Sequence, residues 1–548
     1  MSTSSDRNSR TSVPNSQDAT HNFDIVVVGG AFSGTAFALV MKRRMPDLKI
    51  LVVERSEQFE RKVGEATVEV SSYFLRRVLG LYDHLSRHHL PKHGLRYWFT
   101  DERKRDLYEM TEVGSFDVPG VPSFQLDRPT LDGHLLEVAA AEGIEVWRPA
   151  KVKSVDFQWP IQHSTILTED GEQRVVRSRW VIDASGRQAF LSRKLGMHRK
   201  FDGHPTAALW GRWTGVLDLD DPGFTGSDPR HSQLPGLSAS RRLATNHFCG
   251  YGWWCWVIPL RNGTTSIGLV YNKDLFQLPA GTTKREAYEQ FVRSASGLGD
   301  LVADAALDDR DFMALQHLPY RSEKYMDLGW ALVGDAAAFI DPYYSPGLDH
   351  VATSIYATAA ILEQDLRDSL KDPEVAKQEL APLVEFHNKD FTVSFDQWFG
   401  ALYDGKYEIF GDADLTRCAF QMDTGLYYAA VVSSIEKDIE ALKNPVFGAI
   451  PQAVYAYKMT RWFNQRLVKL ARFRRRAGLY GESNVGRRFL SKSFYPGTLP
   501  AVRPITTALR IWLKAERQRL FYRLRHGKLD ESRPVVQAPP APSASLTG

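Results

Sequence analysis

From Ile25 to Gly34 the chain reads Ile-Val-Val-Val-Gly-Gly-Ala-Phe-Ser-Gly, and few folds can satisfy that string. The four apolar residues suit a short, fully buried strand. Gly29 supplies the tight turn that follows, and Gly34 lets the next helix pack closely on the strand. Backbone N–H groups at the start of that helix then form a site for phosphate. The middle glycine of the G-x-G-x-x-G pattern is replaced by Ala31, whose side chain is small enough to leave room for a pyrophosphate. The helix is expected from about Gly34 to Arg44 and a second strand over Lys49–Val53. Glu54 ends that strand 20 residues after Gly34, where an acid accepts bonds from adenosine ribose hydroxyls. The result is one βαβ unit, the opening of a doubly wound α/β sheet.

The same stretch, Ile25 to Met41, is almost free of charge, but its glycines read as strand–turn–helix rather than as a membrane span. Residues 1–21 are polar, lack an apolar core and read as a disordered lead-in. Three cysteines, Cys249, Cys255 and Cys418, have no C-x-x-C spacing. They give neither a disulfide framework nor a metal site, and a reducing cytoplasm suits them.

Two further motifs match the first. Leu332 to His350 reads LVGDAAAFIDPYYSPGLDH. Asp335 follows an apolar strand, and a helix opening near Gly347 would point its positive end, with the Gly347 and Leu348 N–H groups, at a flavin ring. Trp180 to Arg187 reads WVIDASGR, in which Asp183 to Gly186 close a strand and turn back toward the nucleotide. The three together are the dispersed signature of a large FAD-binding fold, and Arg128 is assigned to the same cofactor. No second glycine fingerprint for a nicotinamide is present, so electrons are expected from a separate protein. Gly252 to Pro259 holds three tryptophans in four residues. In a strand Trp254 and Trp256 share a face, which on physics alone reads as two core aromatics.

On four elements the chain resembles a flavin-dependent halogenase, of the branch acting on phenols or carrier-bound aromatics and related to FAD-dependent aromatic hydroxylases. These are the glycine motif, V-G-E-A-T at Val63–Thr67, P-K-H-G at Pro91–Gly94, and W-x-W-x-I-P ending at Pro259, within residues 23–370. The resemblance implies that a separate flavin reductase supplies reduced FAD. Dioxygen and halide then give hypohalous acid, which travels to a lysine beside the substrate. Lys92 matches that lysine, where an ammonium donates a hydrogen bond to the acid or an amine carries the halogen. Trp254 and Trp256 would form the wall keeping substrate off the flavin.

The loop before the flavin-facing helix departs from the family. Tyr344-Ser345-Pro346-Gly347 stands where halogenases commonly carry Ser-Thr-Gly or Ser-Ser-Gly, so the halide site would be Ser345, Gly347 and Leu348. Pro346 has no N–H to give, and Tyr344 takes the place of the catalytic glutamate of tryptophan halogenases. That departure favours, as alternatives, a halogenase-like hydroxylase or desaturase without halide chemistry. A carrier- or membrane-docked redox partner is a third reading.

The expected layout is an FAD-binding domain over 22–365 with an antiparallel sheet layer inserted at about 120–275. A helical basic region over 366–530 and a disordered Pro/Ala/Ser tail over 531–548 follow. Lys458 to Lys528 carries 19 Lys and Arg against 2 Asp and Glu, a net +17 on a body of −13. Pro504 to Gly527 reads as a helix with Ile505, Leu509, Leu513, Leu520 and Leu524 in one stripe. It suits an acidic carrier protein or an anionic membrane surface, or else a docked helix with a solvated basic face. No nucleic-acid motif accompanies the charge.

Overall fold

The computed structural model describes residues 21–100, 106–225, 238–278, 283–368 and 371–535. The lead-in expected over 1–21 lies outside these except for His21, as does the tail beyond residue 535.

The opening βαβ unit forms as read: strand β1 (His21–Val28), helix α1 (Phe32–Arg44) and strand β2 (Ile50–Val53). Strands β3 (Gln173–Asp183) and β4 (Trp330–Leu332) extend the sheet in the order β4-β3-β1-β2, all parallel. Both faces are covered, so Val26 and Val27 are fully buried in opposite cores; continuous apolar strands are what a two-sided sheet requires. Register decides the rest. Val28 lies opposite Val53 and Asp183, and Asp183 opposite Leu332. Glu54, Gly29, Asp183 and Gly334 therefore all leave the sheet at its carboxyl edge, where doubly wound folds bind ligands.

Close approach fixes the first motif. Gly29 has φ +104°, and a Cβ there would lie 2.7 Å from the Ala184 carbonyl oxygen. A Cβ on Gly34 would lie 1.8 Å from the Gly29 oxygen.

Among the described residues the second sheet has nine strands and corrects the expected boundaries. Its central run, Thr206–Thr214, Thr265–Asn272, Trp253–Pro259 and Thr245–Gly250, is antiparallel. It also takes Leu95–Phe99 and Thr111–Ser115 from before residue 120, and Arg488–Ser491 from the C-terminal region. Leu95–Phe99 runs parallel to Thr245–Gly250 and antiparallel to Thr111–Ser115, and Arg488–Ser491 runs parallel to Thr111–Ser115, so the sheet is mixed. Between residues 128 and 183 lie instead the helix Arg128–Ala141 and strands of the first sheet. Apolar alternation reports a half-buried strand but not which sheet receives it.

Helix α2 (Gly347–Leu366) leads into the C-terminal region, whose two longest helices among the described residues are α3 (Pro451–Ala477) and α4 (Thr498–His526). α4 starts six residues before the expected helix. The region's basic charge is partly neutralised inward: Arg474 of α3 meets Asp412 at 2.8 Å and Arg472 of α3 meets Glu408 at 2.7 Å. Glu531 receives both Arg519 and Arg523, and the Ser532 and Arg533 carbonyls accept from Arg472 and Arg476. The segment from 531 to 535 is thus docked, contrary to the expected disordered start of the tail, because a half-buried arginine cluster finds its acceptors there. Among the described residues no helix is long and apolar enough to cross a membrane.

Gly34→Ala is expected to destabilise the chain by about 1–3 kcal/mol through forced overpacking. Gly133→Ala, on the helix Arg128–Ala141 where a Cβ would meet nothing within 4 Å, should stabilise it by about 0.4–1 kcal/mol. Urea denaturation of the two variants measures the contrast, and equal shifts would refute the close-packing account.

Candidate active site

At the carboxyl edge of the first sheet the Glu54 carboxylate accepts from the Gly30 N–H at 2.7 Å and the Ser56 N–H at 2.8 Å, which locks the turn to the end of β2. The first intrahelical bond of α1 is donated by Thr35 to Ala31. Among the described residues the Phe32, Ser33 and Gly34 N–H groups therefore have no acceptor, as expected of a phosphate-binding helix start. Gly334, at φ +58°, brings the second motif against α1, with Ser33 Oγ 3.0 Å from where its Cβ would be.

Asp335 projects into this junction, and its carboxylate has no hydrogen-bond partner among the described residues. Burial pushes its carboxyl up, opposed by the Arg187 and Arg128 guanidinium groups. Arg128 itself donates to the Val63 carbonyl at 3.0 Å, pairs with Asp132 and lies over the Phe32 ring. Asp183 closes its strand and turns the chain back. Both its oxygens are taken by backbone, the Ser185 N–H at 2.9 Å and the Leu191 N–H at 2.7 Å, so it shapes the 184–191 loop from behind. Free donors on α1 and a free acceptor on Asp335 fit the pyrophosphate and ribityl chain of FAD.

The turn before α2 is strained. Tyr344 and Ser345 are consecutive non-glycine residues at φ +73° and +56°, each costing about 1–3 kcal/mol. Asp341 holds them there: it accepts from the Tyr343 N–H at 3.0 Å and the Tyr407 hydroxyl at 2.8 Å, and meets His204 Nε2 at 2.8 Å. Trp254 Nε1 donates to Tyr407 at 3.1 Å, and its ring packs on Tyr343. Trp256 donates to Ser266 on the same sheet face, 5.9 Å from Trp254. The two rings do share a face, but Tyr343 stands in front of Trp254, and neither lines the cavity described next. Their place is one layer behind it, supporting the turn. Tyr344 donates to Asp423, which also pairs with Lys406. Pro346 caps α2, whose first intrahelical bond runs from His350 to Pro346. The Gly347, Leu348 and Asp349 N–H groups have no acceptor among the described residues, whereas Ser345 donates its own to Pro342.

A cavity of about 630 Å³ opens beside this helix start. Asp335, Pro346 and Gly347 line it, as do Lys92, Glu69 and Asp349, and an apolar limb including Phe395, Trp398, Val446, Phe447, Ile450 and Ala456. Lys92 is 3% exposed and donates to the Thr67 carbonyl at 2.8 Å. Its strand, Leu90–Lys92, pairs with Ser123–Gln125, and Thr67 clamps Phe124 of that strand in both directions. The V-G-E-A-T and P-K-H-G motifs thus meet through Phe124. Burial lowers the Lys92 ammonium to about 8, opposed by Glu69 and Asp349.

These two acids were not singled out by the sequence, nor was Asp341. Glu69 accepts from Tyr428, and burial pushes its carboxyl up. Asp349 accepts from the Ser71 N–H at 2.8 Å and Tyr427 at 3.0 Å, and burial raises it to about 7. Each sits in the first turn of a helix, where acids are ordinary, so no sequence signal separates them from helix starts elsewhere.

The family model for tryptophan halogenase matches residues 24–110 and 102–378. Flavin-dependent halogenase chlA of Dictyostelium discoideum is 28% identical over 64% of this chain and 62% of its own length, so the match spans just under two thirds of that relative. Flavin-dependent halogenase armH3 of Armillaria mellea is 23% identical, with 78% and 80% covered. Monodechloroaminopyrrolnitrin halogenase PrnC of Pseudomonas fluorescens is 24% identical, with 69% and 68% covered. The solved structure of halogenase PltM in complex with phloroglucinol and FAD superposes with TM-score 0.65 at 18% identity, over 90% of this chain and 96% of that one, which establishes a common fold. The match to the family model covers well over half of the sequence, and on that ground the chain belongs to the tryptophan halogenase family of FAD-dependent enzymes.

Proposed function

We propose that the chain halogenates an electron-rich aromatic, drawing reduced FAD from a separate flavin reductase. The observation that carries this reading is the buried Lys92 ammonium in a cavity whose other boundary is the open N-terminus of α2. When bound, reduced FAD with dioxygen supplies the oxidising equivalent that turns halide into hypohalous acid. The Gly347 and Leu348 N–H groups, at the positive end of a 20-residue helix, hold the halide. With Pro346 contributing no donor, bromide is favoured over chloride because it costs less to desolvate. Lys92 then donates to the hypohalous acid and orients it toward the substrate, and Asp349, titrating near 7, takes up the proton that a phenol releases.

Among the described residues lining the cavity, Lys92 is the one lysine or arginine. A carboxylate or phosphate on the substrate therefore finds no second cation, and the apolar limb favours an aromatic with an apolar body. We read the substrate as free rather than carrier-bound on the same ground. Pro346 favours one rival, a hydroxylase that transfers oxygen with no use for halide or a distant ammonium. Product mass separates the two.

Lys92→Ala should reoxidise reduced FAD at a near wild-type rate yet lose halogenated product by about 100-fold or more, the usual weight of a positioned proton donor. Assays with bromide and a phenol panel, read by mass spectrometry, test this; undiminished product would hand the site to the hydroxylase reading.

Halogenated product per flavin oxidised should fall as pH rises through about 8, because the ammonium form predominates below that value and is lost above it. A yield that instead climbs through pH 8 would mean that the neutral amine carries the halogen.

Asp335→Ala should weaken FAD binding at least tenfold, roughly 1.4 kcal/mol, measured by fluorescence titration of the folded variant. Unchanged affinity would remove Asp335 from the ribityl contact.

A further inference from the structure

α4 has two apolar faces, and only one is covered. Ala501, Pro504, Ala508 and Ala515 are buried, and small side chains there let the helix lie close on Ala413–Tyr427, with the Ala508 carbonyl accepting from Cys418. On the opposite side Leu499, Val502, Leu509, Leu513, Leu520 and Leu524 recur at spacings of three, four and seven and so form one stripe along ~38 Å of helix. All are exposed, Leu499 at 86% and Leu524 at 73%. α3 adds a second exposed apolar face, where Tyr455, Met459 and Trp462 recur at i, i+4 and i+7 and are all more than half exposed. The Trp462 ring leans on Trp512 of α4. An exposed apolar surface of this extent marks a place of contact.

The charges sort the same way. Arginines turned inward are paired: Arg466 with Glu516, Arg474 with Asp412, and Arg519 and Arg523 with Glu531. Arg503, Arg510 and Arg517 recur every seven residues beside the leucine stripe, with Lys514 and Arg525 on the same flank. None of these five has an acidic partner among the described residues. A second copy of the chain would set these unpaired cations against their own kind. The surface instead matches an anionic bilayer, into which a helix lying flat buries leucine and aromatic side chains while its cations meet lipid phosphates.

We propose that the outer face of α4, with the exposed face of α3, docks in the plane of an anionic lipid surface without crossing it. The cavity described above supports this independently of the reaction carried out in it. Ile450 and Thr498 line that cavity at the starts of α3 and α4, and Ile450 is itself exposed. Docking therefore sets the cavity beside lipid, suited to an apolar aromatic partitioned there.

Flotation of the full chain with phosphatidylcholine vesicles, with and without phosphatidylserine, tests the proposal. Binding is expected only with phosphatidylserine and should weaken as salt rises. Leu513→Glu with Leu520→Glu should abolish it, and Arg510→Ala and Arg517→Ala should each lower partitioning about fivefold. Unchanged thermal melting would show these surface variants to be folded. No flotation of the folded wild-type chain overturns the proposal, as does equal flotation of the leucine variants. Two other results would do the same: a dimer dissolved by the leucine substitutions, or tight binding to an acidic acyl carrier protein, either one without vesicle binding.

Discussion

The Asp341 carboxylate joins three parts of the chain that otherwise have no reason to hold their relative positions. It binds the Tyr343 backbone, the Tyr407 hydroxyl and the His204 ring, and through Tyr407 it reaches the Trp254 indole. Tyr344 and Ser345 would relax from their left-handed conformations without such a restraint. If they did, α2 would no longer begin where its N–H groups face the cavity. The tryptophan strand is thus coupled to the helix start through one carboxylate. This gives Trp254 a physical role that the motif alone does not disclose.

Burial sets the electrostatics of the cavity. Lys92, Glu69 and Asp349 each have their charged form disfavoured by burial; both acids partly restore the ammonium and Lys92 partly restores Glu69, while Glu69 pushes Asp349 further up. In a low dielectric such a cluster is sensitive to any added charge. A neutral aromatic disturbs it least. The C-terminal helices follow a different rule, pairing arginines where they are buried and leaving them unpaired where water or another surface meets them.

Where a motif is local, its geometry was legible in the sequence. Gly29, Gly34 and Glu54 lie within one βαβ unit, and their spacing is dictated by how a strand, turn and helix must pack. Lys92 was legible only by resemblance, since its neighbours in sequence say nothing of the Thr67 carbonyl or the buried acids. Asp183 stands at the expected edge, where its carboxylate serves a backbone turn, a use that the sequence does not distinguish from ligand binding. Asp341, Glu69 and Asp349 were not legible, since the contacts that define their roles reach partners 66 to 359 residues away. The sheet limits failed for the same reason.

The parallel pairing of Arg488–Ser491 with Thr111–Ser115 bears on how the chain reaches its native state. During synthesis the strand Thr111–Ser115 stands with one edge open until some 370 further residues have emerged, since the Thr111 hydroxyl finds its acceptor at Ser483. An open edge of this kind invites pairing with another chain. Closing so long a loop is slow, although its entropic cost grows only gently with length. Nascent chains and chains shortened before Arg488 should therefore share one hazard, aggregation through that edge, which a chain carrying Arg488–Ser491 escapes.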